Sequence, residues 1–326
     1  MPIKTDIQQQ IAAFLDREVT HACSCPLCRG VVMNPGELMR FSVKDLSDRW
    51  QDEYGFVPIP FAHRELNLTK VQCRDCGLYL YDVALPGDYP QFYETLGEPP
   101  NSCDPSKRWD YALFAHSIEK FNAGRIEQGL PPANVLEIGC AVGNFLAILK
   151  EKGIMATGLD TDTKAADHCI KRGLCVINSD LEHLPVTGRH DVIVALQVLE
   201  HITDIRKILS DVRDMLPDGG RFYVSVPNPD QVRITGDSVL NFPPHHQIDF
   251  SKRTFEWIAE EYGFSIKWIE NEPLNARVYR KYKKNVEGIE IPEDMEIDPD
   301  DFDRISQSNL GHTHAVCFVK QPVIRL

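Results

Sequence analysis

The chain has 326 residues, long enough for one large domain or two smaller ones, and its 43% hydrophobic and 25% charged residues are ordinary for a soluble globular protein. It contains no uncharged apolar run of membrane-spanning length, and residues 1–6 lack the charged-then-apolar pattern of a secretory signal, so we expect a cytoplasmic protein. The net charge of −13 argues against broad binding to nucleic-acid phosphates. Ten cysteines in such a compartment indicate metal or thiol chemistry rather than a disulfide framework.

The N-terminal region carries two C-x-x-C pairs, which follow a stretch, Ile3–Glu18, whose apolar spacing predicts a short amphipathic helix. Each pair ends at or near a glycine, which is typical of a tight knuckle whose backbone N–H groups turn toward thiolate sulfurs. Two such knuckles supply four sulfurs for tetrahedral zinc and leave no open position, so the predicted zinc is structural. The expected ligands are Cys25, Cys28, Cys73 and Cys76.

Alternatives remain open for this region. The segment between the two knuckles is longer than is usual in zinc sites, which predicts an inserted subdomain around Trp50–His63, and Cys23 is a competing or spare ligand. Four unrelated reduced cysteines are the other interpretation. The region is predicted to span residues 1–104 and to end in an irregular connector, Pro86–Pro105, whose aromatic side chains either act as a lid or pack against the larger domain.

Residues 105–326 form the second predicted domain, in which strands and helices alternate. The alternation predicts an α/β fold with a parallel, doubly wound sheet that has helices on both faces. The predicted strands are Val135–Ile138, Ala156–Leu159, Cys175–Ile177, Asp191–Leu196, Arg221–Val226, Ser265–Ile269 and Ala315–Lys320. The predicted helices are Lys107–Gln128, Asn144–Lys152, Thr163–Arg172, Asp204–Leu216 and Lys252–Tyr262. An acidic segment before the last strand, Glu287–Asp303, has little apolar periodicity, and we expect an exposed insertion at about 284–312.

A small-residue turn follows the first strand of this domain. Gly139, Ala141 and Gly143 alternate there, and an acid, Glu137, lies two residues before the first glycine. Glycines let a ligand approach the backbone closely, and the helix that follows offers free N–H groups at its start. A dinucleotide-binding turn would place its last small residue one position later. A plain strand–turn–helix corner, without a ligand, is the alternative.

The pattern resembles the E/D-x-G-x-G-x-G motif of class I S-adenosylmethionine-dependent methyltransferases, with Ala141 where the family usually has glycine. The resemblance implies a Rossmann-like, mostly parallel sheet with a final antiparallel strand. It also implies that the turn lies along the methionine part of the cofactor, that Asp160 accepts the ribose hydroxyls, and that Leu196 and Gln197 lie beside the methyl group. The implied cofactor-binding residues are Glu137, Gly139, Ala141, Gly143, Asp160, Asp180, Leu181, Leu196 and Gln197.

A histidine-bearing segment follows the fifth strand of the second domain. Pro243–Ser251 resembles a P-H-H…F-S phrase in a branch of these enzymes associated with sugar, polysaccharide or small-metabolite methylation. In the related zinc-bearing sugar C-methyltransferases a histidine of this segment is the base, which implies that role for His245 or His246. The alternative is structural, with His245 capping a loop and Ser251 capping the next helix. We expect His201 to pack or to form a hydrogen bond.

The sequence therefore predicts a methyltransferase that acts on a small molecule, in the class of sugar or polysaccharide-related acceptors. Two alternatives stay open. Some RNA base methyltransferases place a zinc knuckle before the same fold, although the basic residues here form only a short cluster within 277–284. A non-catalytic module that binds the cofactor is compatible with Ala141 and Gln197. The acceptor atom and the oligomeric state are not specified by the sequence.

Overall fold

The computed structural model describes residues 24–30, 32–33, 39–58, 67–81, 107–181, 190–202, 204–235 and 238–322. The predicted helix Ile3–Glu18, the predicted connector up to residue 105 and Cys23 lie outside these residues. No helix in the described ranges combines the length and the apolar character that a membrane crossing requires.

The elements of the described residues are numbered in chain order. The strands are β1 (Val32–Met33), β2 (Met39–Ser42), β3 (Asn67–Cys73), β4 (Tyr79–Tyr81), β5 (Val135–Ile138), β6 (Ala156–Asp160), β7 (Val176–Asn178), β8 (Val192–Leu196), β9 (Arg221–Pro227), β10 (Ile248–Asp249), β11 (Phe264–Asn271) and β12 (Thr313–Lys320). The helices are α1 (Val43–Tyr54), α2 (Trp109–Glu127), α3 (Asn144–Glu151), α4 (Thr163–Lys171), α5 (Ile205–Met215), α6 (Pro229–Thr235), α7 (Lys252–Tyr262), α8 (Ala276–Val286) and α9 (Pro299–Ser306).

The chain divides into two compact units. Among the described residues, the first unit takes those up to residue 81 together with 200–202 and 238–253, and the second unit takes the others. The division predicted at residues 104 and 105 leaves these two later segments in the second domain. Residues 238–253 belong to the first unit because its sheet includes β10, which pairs with β4 in antiparallel register. Residues 200–202 join them because the Gln247 N–H donates to Glu200 O (3.0 Å).

The first unit is built on a small antiparallel sheet in the order β1-β3-β4-β10, with β2 also paired to β3. Helix α1 begins where the Ser42 hydroxyl accepts the Asp45 N–H (3.3 Å) and ends at Gly55, which has φ 75°. Glycine is favoured at such an end because it has no Cβ to clash in the left-handed conformation. The helix buries Trp50, so the start of the predicted inserted subdomain is helical.

The second unit contains a seven-stranded sheet in the order β11-β12-β9-β8-β5-β6-β7. Strand β12 runs antiparallel to both of its neighbours, whereas β5 to β9 are mutually parallel. This order confirms the predicted Rossmann-like, mostly parallel sheet with a final antiparallel strand. Residues 135–136 and 192–195 are fully buried, as expected for central parallel strands with helices on both faces.

The acidic insertion between β11 and β12 contains structure that the sequence did not predict. Helix α9 lies in it and α8 leads into it, and the buried side chains of the two helices share a small core. Most of residues 288–300 are exposed, as expected from their composition. The core was missed because its apolar residues come from two stretches about 25 residues apart, and neither stretch alone shows a clear period. They are Leu274, Val278, Tyr279, Ile305 and Leu310.

Candidate active site and metal centre

The turn after β5 has an unusual backbone that repeats at every second residue. Gly139, Ala141 and Gly143 have φ values of 67°, 45° and 76°. An L-residue with a side chain is disfavoured there by roughly 1–2 kcal/mol, so Ala141 is the strained member of the three. A Cβ built on Gly139 would lie 2.6 Å from Val198 Cγ2, and one on Gly143 would lie 2.6 Å from Leu174 Cδ1. Both glycines are therefore required by close packing as well as by backbone conformation.

Asp160, at the end of β6, holds this turn in place. Its Oδ2 accepts the Ala141 N–H (2.7 Å), and its Oδ1 accepts the Asp162 N–H (2.9 Å). Burial raises the pKa of Asp160, and these backbone N–H groups oppose the rise because they stabilise the carboxylate. A carboxylate has about four acceptor directions, so two backbone bonds leave capacity for ribose hydroxyls. Asp162 itself caps α4, as its side chain accepts the Lys164 N–H (2.7 Å).

Glu137 is a buried carboxylate at the same edge of the sheet. It is only 2% exposed, and its Oε2 has no hydrogen-bond partner among the described residues. Burial raises the pKa of Glu137 well above its usual range; the positive charge of Arg108 opposes this effect, and the acids Asp160 and Asp110 add to it. A buried oxygen without a donor is costly, so the geometry fits a ligand that brings a cationic or N–H group to this point.

A polar network behind the turn was not predicted from the sequence. Gln197, with φ 57°, follows β8 and donates its N–H to Ser225 O (2.9 Å). The Ser225 hydroxyl donates to Asp110 Oδ2 (2.7 Å), and Arg108 Nε donates to Asp110 Oδ1 (2.8 Å). One signal could have indicated this network: Ser225 interrupts the otherwise apolar run of β9. Its position suits a hydroxyl that fixes the start of α2.

The remaining predicted cofactor-binding residues follow neighbouring strands. Asp180, which is exposed, and Leu181, which is half-buried, come after β7, and Leu196 ends β8 and is largely buried. The Ser179 N–H donates to Asp160 O (3.0 Å), which ties the ends of β6 and β7 together. All nine predicted residues thus lie at or just after the carboxyl ends of β5 to β8, which are adjacent in the sheet. Ligands of open α/β sheets bind at this edge.

The four predicted zinc ligands come together in the first unit. The Sγ atoms of Cys25, Cys28, Cys73 and Cys76 all lie within 4.8 Å of one another, with Cys25–Cys76 at 3.5 Å and Cys28–Cys73 at 3.4 Å. Four sulfurs at the usual zinc–sulfur bond length in a tetrahedron are separated by about 3.8 Å, so the set fits zinc with small adjustments. The Gly30 N–H donates to Cys28 Sγ (3.3 Å), as predicted for a knuckle.

The thiols of this cluster cannot all ionise easily without a cation. The hydrogen bond between Cys76 and Cys25 lowers the pKa of Cys25 to about 5 and raises the pKa of Cys76 well above its usual range. Burial raises the pKa of Cys28 to about 11. A divalent metal would compensate four adjacent thiolates, which supports the fit of this donor set to zinc.

Three histidines form a second cluster in the first unit. The rings of His201, His245 and His246 have centroids 4.4 to 4.8 Å apart. His245 Nδ1–H donates to Leu240 O (2.9 Å), and His201 Nδ1–H donates to His245 O (2.8 Å). The bond to Leu240 O fixes the Nδ1–H tautomer of neutral His245 and leaves its lone pair on Nε2. Burial, with a further contribution from His201, lowers the pKa of His245 well below its usual range, so this ring is neutral at neutral pH.

Comparison with known proteins finds similarity to methyltransferases. Residues 107–267 match a family model described as a methyltransferase domain. A relative from Mycolicibacterium smegmatis, named a probable S-adenosylmethionine-dependent methyltransferase, is 29% identical over 137 residues, which cover 41% of this chain and 52% of the relative. A ubiquinone biosynthesis O-methyltransferase from Pectobacterium atrosepticum is 26% identical over 178 residues, 50% of this chain and 71% of that protein. The chain therefore spans only about half of the first of these relatives.

A solved structure of similar outline comes from Archaeoglobus fulgidus. This S-adenosylmethionine-dependent methyltransferase superposes with a TM-score of 0.42 and 22% identity, over 64% of this chain and 99% of its own length.

Proposed function

We propose that this chain, whose residues 107–267 match a family model described as a methyltransferase domain, is a class I S-adenosylmethionine-dependent methyltransferase. It would transfer the methyl group to a small-molecule hydroxyl of the sugar or polysaccharide-related class. The observation that carries the cofactor assignment is the buried Glu137 Oε2, which has no donor among the described residues and lies at the edge of the sheet where the turn opens. The O-methyltransferase name of the Pectobacterium relative favours oxygen as the acceptor atom.

The chain's own residues would bind and orient the cofactor. The backbone of Gly139, Ala141 and Gly143 would lie along its methionine part, and Glu137 would receive its ammonium group. Asp160 would accept the ribose hydroxyls while it keeps its two backbone bonds. By the family resemblance, Asp180 and Leu181 would contact the adenine, and Leu196 and Gln197 would line the space beside the methyl group.

The reaction asks little more of the protein than alignment and a proton acceptor. When bound, S-adenosylmethionine supplies a methyl group already activated by its sulfonium. The enzyme gains rate by holding the acceptor oxygen in line with that methyl and by excluding water. We assign the proton acceptor to His245 or His246. His245 is the better suited of the two by protonation state, because its Nδ1–H is held by Leu240 O and its low pKa keeps Nε2 unprotonated at neutral pH.

The four-cysteine cluster is proposed to bind a structural zinc ion. Its four sulfurs would complete a tetrahedral site and leave no position for the acceptor. The first unit has a small sheet and one long helix among its described residues, and a metal would add the stability that such a small core lacks. A zinc–thiolate site suits a reducing compartment, and we therefore retain the cytoplasm as the proposed location.

The proposal is tested first by cofactor binding. Isothermal titration of the zinc-loaded protein with S-adenosylmethionine should give saturable binding, and Asp160→Ala should weaken it. Lack of binding by folded wild-type protein would refute the assignment. A second assay measures transfer of labelled methyl to sugars, nucleotide sugars, phenols and RNA. Transfer to RNA alone would replace the small-molecule proposal, and binding without transfer to any acceptor class would favour a non-catalytic module.

A further inference from the structure

The structure connects the cysteine cluster to the segment that carries His245 and His246, and we infer that the metal site clamps this segment through Ser251 and Arg253. The reaction role of the histidines rests on the proposed function, whereas the clamp can be measured without any activity. Ser251 and Arg253 are positioning residues, since they act through the histidine segment.

The clamp begins at the second knuckle, which is the turn between β3 and β4. Cys73 is the last residue of β3, and its N–H donates to Leu78 O (2.8 Å). The Gly77 N–H donates to Cys73 O (2.9 Å), and Gly77 has φ 75°. A metal bound to the sulfurs would fix the peptide planes of this turn, because the Leu78 N–H, in the same peptide as Gly77 O, bonds the Cys76 sulfur. The Gly77 carbonyl, and the Asp75 carbonyl two residues before it, would then point outward in fixed directions.

Two of these outward carbonyls bind the chain just after the histidines. The Ser251 hydroxyl donates to Gly77 O (2.9 Å), and Arg253 Nη2 donates to Asp75 O (3.1 Å). The approach is close, because a Cβ built on Gly77 would lie 2.7 Å from Ser251 Oγ and 3.0 Å from Arg253 Cβ. No residue other than glycine fits at position 77 without moving this segment.

A second attachment lies between the carbonyl contacts and the histidines. Strand β10 pairs with β4 through Ile248 opposite Leu80 and Asp249 opposite Tyr79. Asp249 also forms an ion pair with Lys70 of β3 (2.6 Å), and neither side chain is more than 4% exposed. A buried pair of this kind tolerates little displacement, because separation leaves an uncompensated charge. Residues 248–253 therefore join the metal-bearing hairpin at four points, and His246 lies two residues before the first of them.

Removal of the metal should loosen this chain of contacts from the knuckle outward. The carbonyl groups of Asp75 and Gly77 would lose their fixed directions, and Ser251 and Arg253 would lose their acceptors. The histidine segment would then open more often while β5 and β8 of the second unit keep their protection. Loss of one hydrogen bond of ordinary strength corresponds to about fivefold faster amide exchange in the segment it closes.

Hydrogen–deuterium exchange of the full chain tests the clamp. In zinc-loaded protein, Ser251→Ala and Arg253→Ala should each raise exchange over residues 245–251 by about fivefold, with zinc content and exchange over α1 unchanged. Ser251→Thr should restore protection, because it keeps the hydroxyl. Glu260→Ala, an exposed site on the same helix, is the matched control and should change nothing.

A second experiment removes the zinc with a chelator and repeats the exchange measurement. Removal of zinc should raise exchange over 245–251 in wild-type protein, and should add little in the Ser251→Ala/Arg253→Ala double variant, because the two changes break the same contacts. The clamp would be overturned if chelation raised exchange equally in both proteins or did not raise it in wild type. It would also be overturned if the protein bound no zinc. A clamp that behaves as expected in protein that binds no S-adenosylmethionine would leave the clamp standing and refute the proposed function instead.

Discussion

Replacement of Glu137 by glutamine should move folding stability and cofactor affinity in opposite directions. The side chain is 2% exposed, and its Oε2 has no partner among the described residues, so the free protein carries a poorly solvated acid at this point. Glutamine has nearly the same shape and no charge. We expect Glu137→Gln to stabilise the fold at neutral pH and to weaken the binding of S-adenosylmethionine.

The sign of the stability change follows from the raised pKa of Glu137 in the folded state. The unfolded carboxyl releases its proton near pH 4.3, at about its ordinary pKa. Its contribution to stability is therefore fully present below that pH and is lost as pH rises toward the folded pKa, by up to about 1.4 kcal/mol per pH unit. Glutamine does not titrate, so the advantage of the variant should grow from about pH 5 to 7. A hydrogen bond to a charged group contributes about 1.5–3 kcal/mol, so cofactor affinity should fall roughly ten- to hundredfold.

Urea unfolding of both proteins across this pH range measures the first effect, and calorimetric titration with S-adenosylmethionine measures the second. Other titrating groups cancel in the difference between wild type and variant. Glu119→Gln is the control, because this carboxylate forms a surface pair with Lys152 (2.9 Å), and such pairs contribute little. A stability difference that does not change with pH, or an unchanged cofactor affinity, would refute the role assigned to Glu137.

Three further predictions concern the turn, the metal site and stability at low pH. Gly143→Ala should lower the unfolding free energy by about 2–4 kcal/mol, because it puts a side chain at φ 76° and overpacks the turn. Ala141→Gly should leave the unfolding free energy within about 1 kcal/mol of wild type. Equal losses for the two variants in urea unfolding would contradict the backbone conformation described for the turn. Cys76→Ser should abolish zinc binding in a dye-release assay, and Cys175→Ser, at an exposed cysteine, should not. Burial lowers the pKa of His314 to about 4 in the folded state. As pH drops below about 6.5, the unfolded state therefore binds a proton that the folded state does not, and folding stability should fall. His314→Gln should flatten that fall in unfolding measured at successive pH values, and an unchanged slope would exclude the assignment.

The local features of the cofactor edge could be predicted from the sequence, because each depends on neighbouring residues. Alternating small residues after a buried strand indicated the turn, and acids at strand ends indicated Glu137 and Asp160. The Ser225–Asp110 bond could not be predicted, since its partners are 115 residues apart and no short pattern links them. The same limit applies to β10, a two-residue strand whose pairing with β4 depends on the fold of the first unit. Long-range register, rather than local preference, decided what was missed.

The one departure of the turn from the family pattern places a side chain at a positive φ. Ala141 holds φ 45°, which disfavours alanine by roughly 1–2 kcal/mol relative to glycine. Its N–H donates to the Asp160 carboxylate at 2.7 Å, and a hydrogen bond to a charged group contributes about 1.5–3 kcal/mol. Glycine at position 141 would form the same backbone bond, so the bond stabilises the turn as a whole and does not account for alanine over glycine. Asp160 therefore has a structural role at this edge in addition to its proposed contact with the ribose, and loss of its carboxylate would disturb the turn before any cofactor binds.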